Sequence, residues 1–323
     1  LYDVVNRKWA LPLAEKIGVD KDLLPPVYES AQVAGKVTAA AAEQTGLAAG
    51  TPVVSGAGDQ AASAVGNGIV EAGLVSCTIG TSGVVFAHMD EVAYDPDGRV
   101  HTFCHAVPGK WHVMGVTQGA GLSLQWFRSN LGQDAVARAA QENTDAYDLL
   151  LVEAASAPAG SEGLYWLPYL MGERTPHLDA SARGGWVGLT AKHTRGHLVR
   201  SLVEGVTYSL KDCLDIVESL GSKVESVRAS GGGARNPFWR SVLAGVFAKP
   251  IATLQTQEGS AYGAALLGMV GSGQFATVEE ACEATIRERE RQTPDDELTT
   301  VYAAGHTIFR ELYPALKPTF PRM

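Results

Sequence analysis

Residues 51–83 read TPVVSGAGDQAASAVGNGIVEAGLVSCTIGTSG. Residues 52–55 form a short strand-like run, Gly56 and Gly58 permit a sharp turn, and Asp59-Gln60 open a small-residue helix through Ala61, Ala62, Ala64 and Val65. Asp59 thus stands at a strand-to-helix junction, where two roles are open to it. It is an N-cap, since Asp is favoured there and an anion is stabilised at a helix N-terminus, or it is a catalytic carboxylate. Residues 75–79 are strand-like, Gly80-Thr81-Ser82-Gly83 is a tight turn and residues 84–87 are strand-like again, which predicts a hairpin with an open glycine tip. Successive N–H groups in such a tip form a concavity for phosphate oxygens, and Thr81 and Ser82 add hydroxyls; a Gly-flanked hairpin turn also needs no ligand. A carboxylate and a phosphate-sized turn on neighbouring segments suit phosphoryl transfer to an alcohol.

Upstream, residues 11–17 predict a short helix, Leu23-Leu24-Pro25-Pro26 an extended connector, and residues 39–45 a helix ended by Gly46. Downstream, HTFCHAVPGKWHVMG (residues 101–115) predicts a hairpin turning at Pro108-Gly109, with His105 directly across from His112 and Cys104 on the opposite face. Only two ligands converge there, so a structural cross-strand pair is expected rather than a metal site. Helices are predicted over 123–131 and 134–155, then an aromatic strand over 164–170 and a long turn-rich segment, MGERTPHLDASARGGWVGL. Residues 194–220 predict a core helix with Leu198, Leu202, Val206, Leu210, Leu214 and Val217 on its apolar face. A strand (224–229), a Gly231-Gly232-Gly233 turn, a helix with Pro at its first position (237–246), a strand (251–254) and helices over 259–270, 278–289 and 295–316 follow. This alternation predicts an α/β fold around a buried sheet.

The chain has 323 residues, 46% hydrophobic and 19% charged, with a formal charge of −9. That balance argues against a nucleic-acid partner, which depends on clustered Lys and Arg. No apolar run approaches the roughly 20 residues of a membrane span and no signal-like segment opens the chain, so a cytoplasmic protein without membrane partners is expected. Cys77, Cys104, Cys213 and Cys282 are widely spaced and read as small buried hydrophobes. There is no G-x-x-x-x-G-K-[ST], and no G-x-G-x-x-G follows a strand.

Gly184-Gly185-Trp186-Val187-Gly188-Leu189, then His197-Leu198, then Ser201-Leu202-Val203-Glu204, resemble at their spacing a signature of the FGGY carbohydrate kinases. GAGDQAASAVG resembles the family's segment with the catalytic aspartate, and LPYLMGERTPHLD (residues 167–179) resembles most closely the branch acting on D-xylulose. The resemblance implies two RNase H-like α/β lobes of the actin, hexokinase and Hsp70 superfamily, with residues 1–68 ending the first lobe and 69–323 forming the nucleotide-binding second. It implies ATP and Mg²⁺, transfer to D-xylulose, Asp59 as general base and Gln60 as its sugar-contacting neighbour. Gly80, Thr81 and Ser82 would form a phosphate loop, Gly121 and Gln125 a nucleotide-contacting segment, and Gly232, Gly233, Ala234 and Asn236 the adenosine site. Arg174 is either a phosphate or sugar ligand or a loop-fixing ion-pair partner.

The chain begins at Leu1 in LYDVVNRKW, which reads as folded interior, and the family's D-x-G-T-S loop is not in it; roughly a third of the expected protein, about one domain, is absent. By itself the chain is expected to bind nucleotide without turnover and to self-associate as a homodimer through an uncovered apolar face. A kinase for another pentulose or polyol is the nearest rival. A non-catalytic actin-like nucleotide-binding module is the other, against which Asp59 beside Gln60 argues.

Overall fold

The computed structural model describes residues 1–256 and 258–323. Its centre is a mixed sheet of β1 (Gly73–Ile79), β2 (Gly83–Met89), β3 (His101–Cys104), β4 (Trp111–Thr117), β5 (Val224–Ser230), β6 (Ile251–Leu254) and β7 (Glu288–Gln292), in the order β7-β6-β5-β1-β2-β4-β3. β5 is parallel to both β1 and β6; the other pairs are antiparallel. Alternation divides the residues between faces. Val75, Cys77, Ile79, Val85 and Ala87 join the main core, whereas Val84, Phe86 and Met114 pack with Ala64 and Ile69 on the other face.

From Asp59 onward the helices are α1 (Asp59–Gly66), α2 (Gly121–Leu131), α3 (Gln133–Glu142), α4 (Ala146–Ser156), α5 (Arg195–Ser219), α6 (Gly231–Arg235), α7 (Pro237–Phe247), α8 (Gly259–Gly271), α9 (Val278–Thr285) and α10 (Asp296–Leu316). α5 runs through the main core, with Leu202, Val206, Leu210, Leu214 and Val217 buried. Thr194 and His197 close its first turn as a capping box. Within α5, Arg200 Nε donates to Glu204 Oε1 at 2.8 Å; both side chains are buried.

Several sequence expectations are corrected. Residues 134–155 are two helices: Asn143 takes the left-handed conformation (φ 51°) that ends α3, and the Asp145 side chain accepts from the Tyr147 N–H to start α4. The helix expected over 278–289 stops at Thr285, and ERERQ becomes edge strand β7, its charges facing water. The aromatic strand is only Tyr165–Leu167, paired with Gly185–Val187 and ended by Pro168. The triple glycine opens the short helix α6 rather than lying in a free turn.

The first residues form small pieces, a two-stranded pair of Val33–Lys36 with Pro52–Val54 and helices Leu11–Lys16 and Ala39–Thr45. Exposed large apolar side chains concentrate there, among them Leu11, Leu13, Ile17, Leu23, Val33 and Val53. Among the described residues, no helix is long and apolar enough to cross a membrane.

Candidate active site

Ile79 pairs with Gly83, leaving Gly80, Thr81 and Ser82 as the β1–β2 tip. The turn between β4 and α2 lies against this tip. The Gly121 N–H donates to the Gly80 carbonyl at 2.7 Å, and the N–H groups of Ala120 and Leu122 both donate to the Thr81 carbonyl at 3.1 Å. A Cβ on Gly121 would press on the Gly80 carbonyl, so this approach requires glycine. Among the described residues no acceptor takes the N–H of Thr81 or Ser82.

On the other side of β1, Thr78 Oγ1 and Ser230 Oγ are hydrogen-bonded at 2.9 Å near the ends of β1 and β5, and α6 follows. A Cβ on Gly233 would lie 2.5 Å from Ile79 Cγ2, whereas one on Gly232 would meet open space. Asn236 caps α7 by accepting from the Phe238 N–H at 2.9 Å, and its Nδ2 donates to Asp148 Oδ1 at 3.3 Å.

These turns enclose a cavity of about 650 Å³ whose wall includes Gly80, Thr81, Gly121, Gln125, Gly232, Gly233 and Asn236. Leu124, Leu151 and Trp239 supply apolar surface, and Tyr147 and Asp148 complete one side. The volume suits a nucleotide. Apolar walls offer a surface for a base, and the unengaged tip N–H groups fit a phosphate oxygen. Ser82 and Ala234 are outside this wall: Ser82 is half-buried on the tip, and Ala234 is buried against a neighbouring cavity of about 450 Å³. Sequence reading missed Asp148, Leu151 and Trp239, which come from helix faces rather than glycine turns.

Asp59 and Gln60 do not line this cavity. Asp59 is exposed as the first residue of α1, with Gly58 at the N-cap, and its Oδ1 accepts the Gln60 N–H at 2.8 Å. The N-cap reading of Asp59 is thereby corrected.

The Gly-Glu-Arg-Thr-Pro loop carries a group that sequence reading passed over. Glu173 is 4% exposed, its Oε1 accepts the N–H groups of Gln118 and Arg174, each at 2.7 Å, and burial pushes its carboxyl up to about 7. Arg174 is exposed and makes no ion pair among the described residues; Glu173 and the Thr175 hydroxyl, which donates to the Arg99 carbonyl, hold the loop instead.

The histidine hairpin has a different register from the expected one. Phe103, not His105, faces His112, and the His105 N–H donates to the Lys110 carbonyl. The rings of His105 and His112 still lie 5.7 Å apart, joined by His88, which is opposite His112 on β2 and 5.1 Å from His105. All three are buried; burial lowers His112 to about 4 and His105 well below its ordinary value. Among the described residues, the three metal-type side chains with converging ligand atoms are Asp212, Asp215 and His306, two of which line another cavity. Cys77, Cys213 and Cys282 are buried as expected, and Cys104 is half-buried.

The model of the FGGY family of carbohydrate kinases matches residues 75–272 with its C-terminal domain and residues 1–66 with its N-terminal domain. The chain belongs to this family, and its fold is of the family's actin- and hexokinase-like type. The xylulose kinase of Bacillus subtilis is 34% identical over 313 residues, covering 97% of this chain and 61% of that protein. The gluconokinase of the same organism is 31% identical over 297 residues, covering 91% and 57%. The crystal structure of xylulose kinase from Rhodospirillum rubrum aligns at a TM-score of 0.87 and 34% identity, over 97% of this chain and 61% of that one. The chain thus spans about three fifths of the length of these relatives.

Proposed function

We propose that the chain is the ATP-binding part, with the catalytic aspartate, of a kinase that transfers phosphate to the terminal hydroxyl of D-xylulose. The observation that carries the kinase reading is the convergence of the Gly80–Thr81 tip, the Gly121 turn and the Gly232–Asn236 turn on one nucleotide-sized cavity. Sugar as the acceptor is supported by the relatives. Xylulose among sugars is supported by the LPYLMGERTPHLD segment and by the xylulose kinases among those relatives.

In this reading Asp59 accepts the proton of the sugar hydroxyl, whose oxygen bonds to the γ-phosphorus as the bond to the β–γ bridging oxygen breaks, leaving ADP. The N–H groups of Thr81 and Ser82 stabilise charge on phosphoryl oxygens. Mg²⁺, which takes oxygen ligands and keeps several waters, would be held on the phosphate oxygens and would supply charge neutralisation there. Residues 1–68 belong to the first lobe and 69–323 to the second, and the apolar side chains exposed before residue 54 support self-association of the isolated chain as a homodimer.

The position of Asp59 outside the cavity wall favours one second reading, a nucleotide-binding module without catalysis. Asp59→Asn separates the two. In a protein of the relatives' length carrying this sequence, assayed with ATP, Mg²⁺ and D-xylulose, the variant should lose about 10²-fold or more in turnover while ATP affinity stays within a few-fold. Full turnover in Asp59→Asn would overturn the catalytic role.

A further inference from the structure

Glu173 is a buried carboxylate with no cationic partner among the described residues, an expensive arrangement unless its oxygens do something specific. The groups facing it are Ser209, Asp212 and Cys213 of α5 and Tyr169; none is basic. What Oε1 grips is the N–H of Gln118, the residue that leads from β4 into the turn beneath the tip. That turn is held from the other side too, since a Cβ on Gly119 would overlap the Pro168 carbonyl.

The turn in its place takes up the tip's carbonyls: Gly121 binds that of Gly80, and Ala120 and Leu122 bind that of Thr81. In a trans peptide the N–H points opposite to the C=O of the same unit. Fixing the Gly80 and Thr81 carbonyls toward the turn therefore fixes the N–H groups of Thr81 and Ser82 away from it, and those are the two that no acceptor takes.

We propose that Glu173 is a positioning residue for phosphate: by anchoring Gln118 it holds the 118–122 turn, which orients the Thr81 and Ser82 N–H groups toward a nucleotide's phosphoryl oxygens. This rests on the nucleotide reading of the cavity. Glu173 is not in the cavity wall, and its two short hydrogen bonds are both to backbone N–H groups. The base and ribose are held elsewhere, by the Gly232–Asn236 side, so the effect divides along the ligand.

The test is calorimetry of the 323-residue chain with ATP, ADP and adenosine, for wild type, Glu173→Ala and Glu173→Gln, with circular dichroism to confirm folding. Glu173→Ala should weaken ATP and ADP about tenfold or more, the equivalent of one to two lost anchoring hydrogen bonds, and leave adenosine within about twofold. Glu173→Gln keeps the Oε1 acceptor and should recover most of the ATP affinity. If ATP and adenosine weaken together, or neither changes, Glu173 is structural only and the proposal fails. If Glu173→Ala does not fold, the glutamine variant decides: its neutral acceptor should cost ATP a few-fold and adenosine nothing, and an equal loss of both overturns the assignment. A wild-type chain that binds none of the three ligands sinks the nucleotide reading itself, which separates that failure from a failure of Glu173.

Discussion

Ser260 Oγ donates a hydrogen bond to the backbone carbonyl of Asp59 at 3.0 Å, across 201 residues of sequence. The two residues stand in the first turns of α8 and α1, helices in such close contact that a Cβ on Gly263 would overlap the Ala62 carbonyl and one on Gly66 the Gly259 carbonyl. The candidate base is thereby placed by a helix from the far end of the chain.

Gly263→Ala should force these helices apart, because the obstructing atom is backbone and cannot rotate away. The expected cost is about 1–3 kcal/mol. Urea denaturation measures it, and amide exchange should quicken in residues 60–66 more than in α5. An unchanged midpoint would mean that the two helices separate freely.

Gly232 and Gly233 should respond differently to valine. At Gly232 the new side chain enters the cavity, so ATP affinity should fall about tenfold or more with the fold intact, since the glycine faces open space at negative φ. At Gly233 it strikes Ile79 and Trp239, so the fold itself should lose about 1–3 kcal/mol. Calorimetry and thermal unfolding of both variants distinguish the outcomes; equal ATP loss at constant stability would refute the division.

The histidine cluster makes stability depend on pH. His105 and His112 are depressed in the folded chain, His112 to about 4, whereas unfolded histidine titrates near 6.5. The unfolded state therefore binds protons first, and the stability these groups contribute is complete above about pH 6.5 and is lost as pH falls toward 4. Glu173, raised by burial, has the opposite slope over part of the same window. The quantity to follow is thus the difference in urea midpoint between wild type and His112→Phe, which should shrink or reverse in favour of the variant as pH falls from 7 to 4.5, by on the order of 3 kcal/mol at the acid limit. A constant difference would mean that His112 is protonated without penalty.

The isolated 323-residue chain should bind ATP and not phosphorylate D-xylulose, since Asp59 lies exposed to water and outside the wall of the proposed nucleotide cavity. A coupled ADP-release assay reads this directly. Substantial turnover would show that the described residues form a complete catalytic apparatus.

What was legible in the sequence follows from where side chains point. The β1–β2 hairpin with its Gly80 tip and α5 were readable from turn residues and from apolar residues that recur at the period of a buried face, whereas Gly121 and Gly232 came through the family resemblance; of the two, only Gly121 is marked by a close backbone approach. β7 was not, since Glu288, Arg289 and Glu290 on an edge strand carry no alternation between core and water. The break at Asn143 was signalled by Asn143-Thr144-Asp145, poor helix formers that supply a C-cap and an N-cap, but the apolar residues on either side read as one run, and Asp148 became visible as a wall residue only once α4 was seen to start separately. Glu173 left no signal at all, because a carboxylate that serves two backbone N–H groups looks in sequence like any surface glutamate.

The parallel pairing of β1 with β5 also bears on how the chain acquires its shape. Val75 lies beside Val227, and the Thr78–Ser230 hydrogen bond spans 152 residues, so one half of the nucleotide cavity leaves the ribosome long before the other. Closing so long a loop is slow and yields nothing until the distant strand docks. On the proposed reading of the cavity, the capacity to bind nucleotide would therefore arise only once β5 docks on β1, and ATP would stabilise the joined strand pair rather than either half alone.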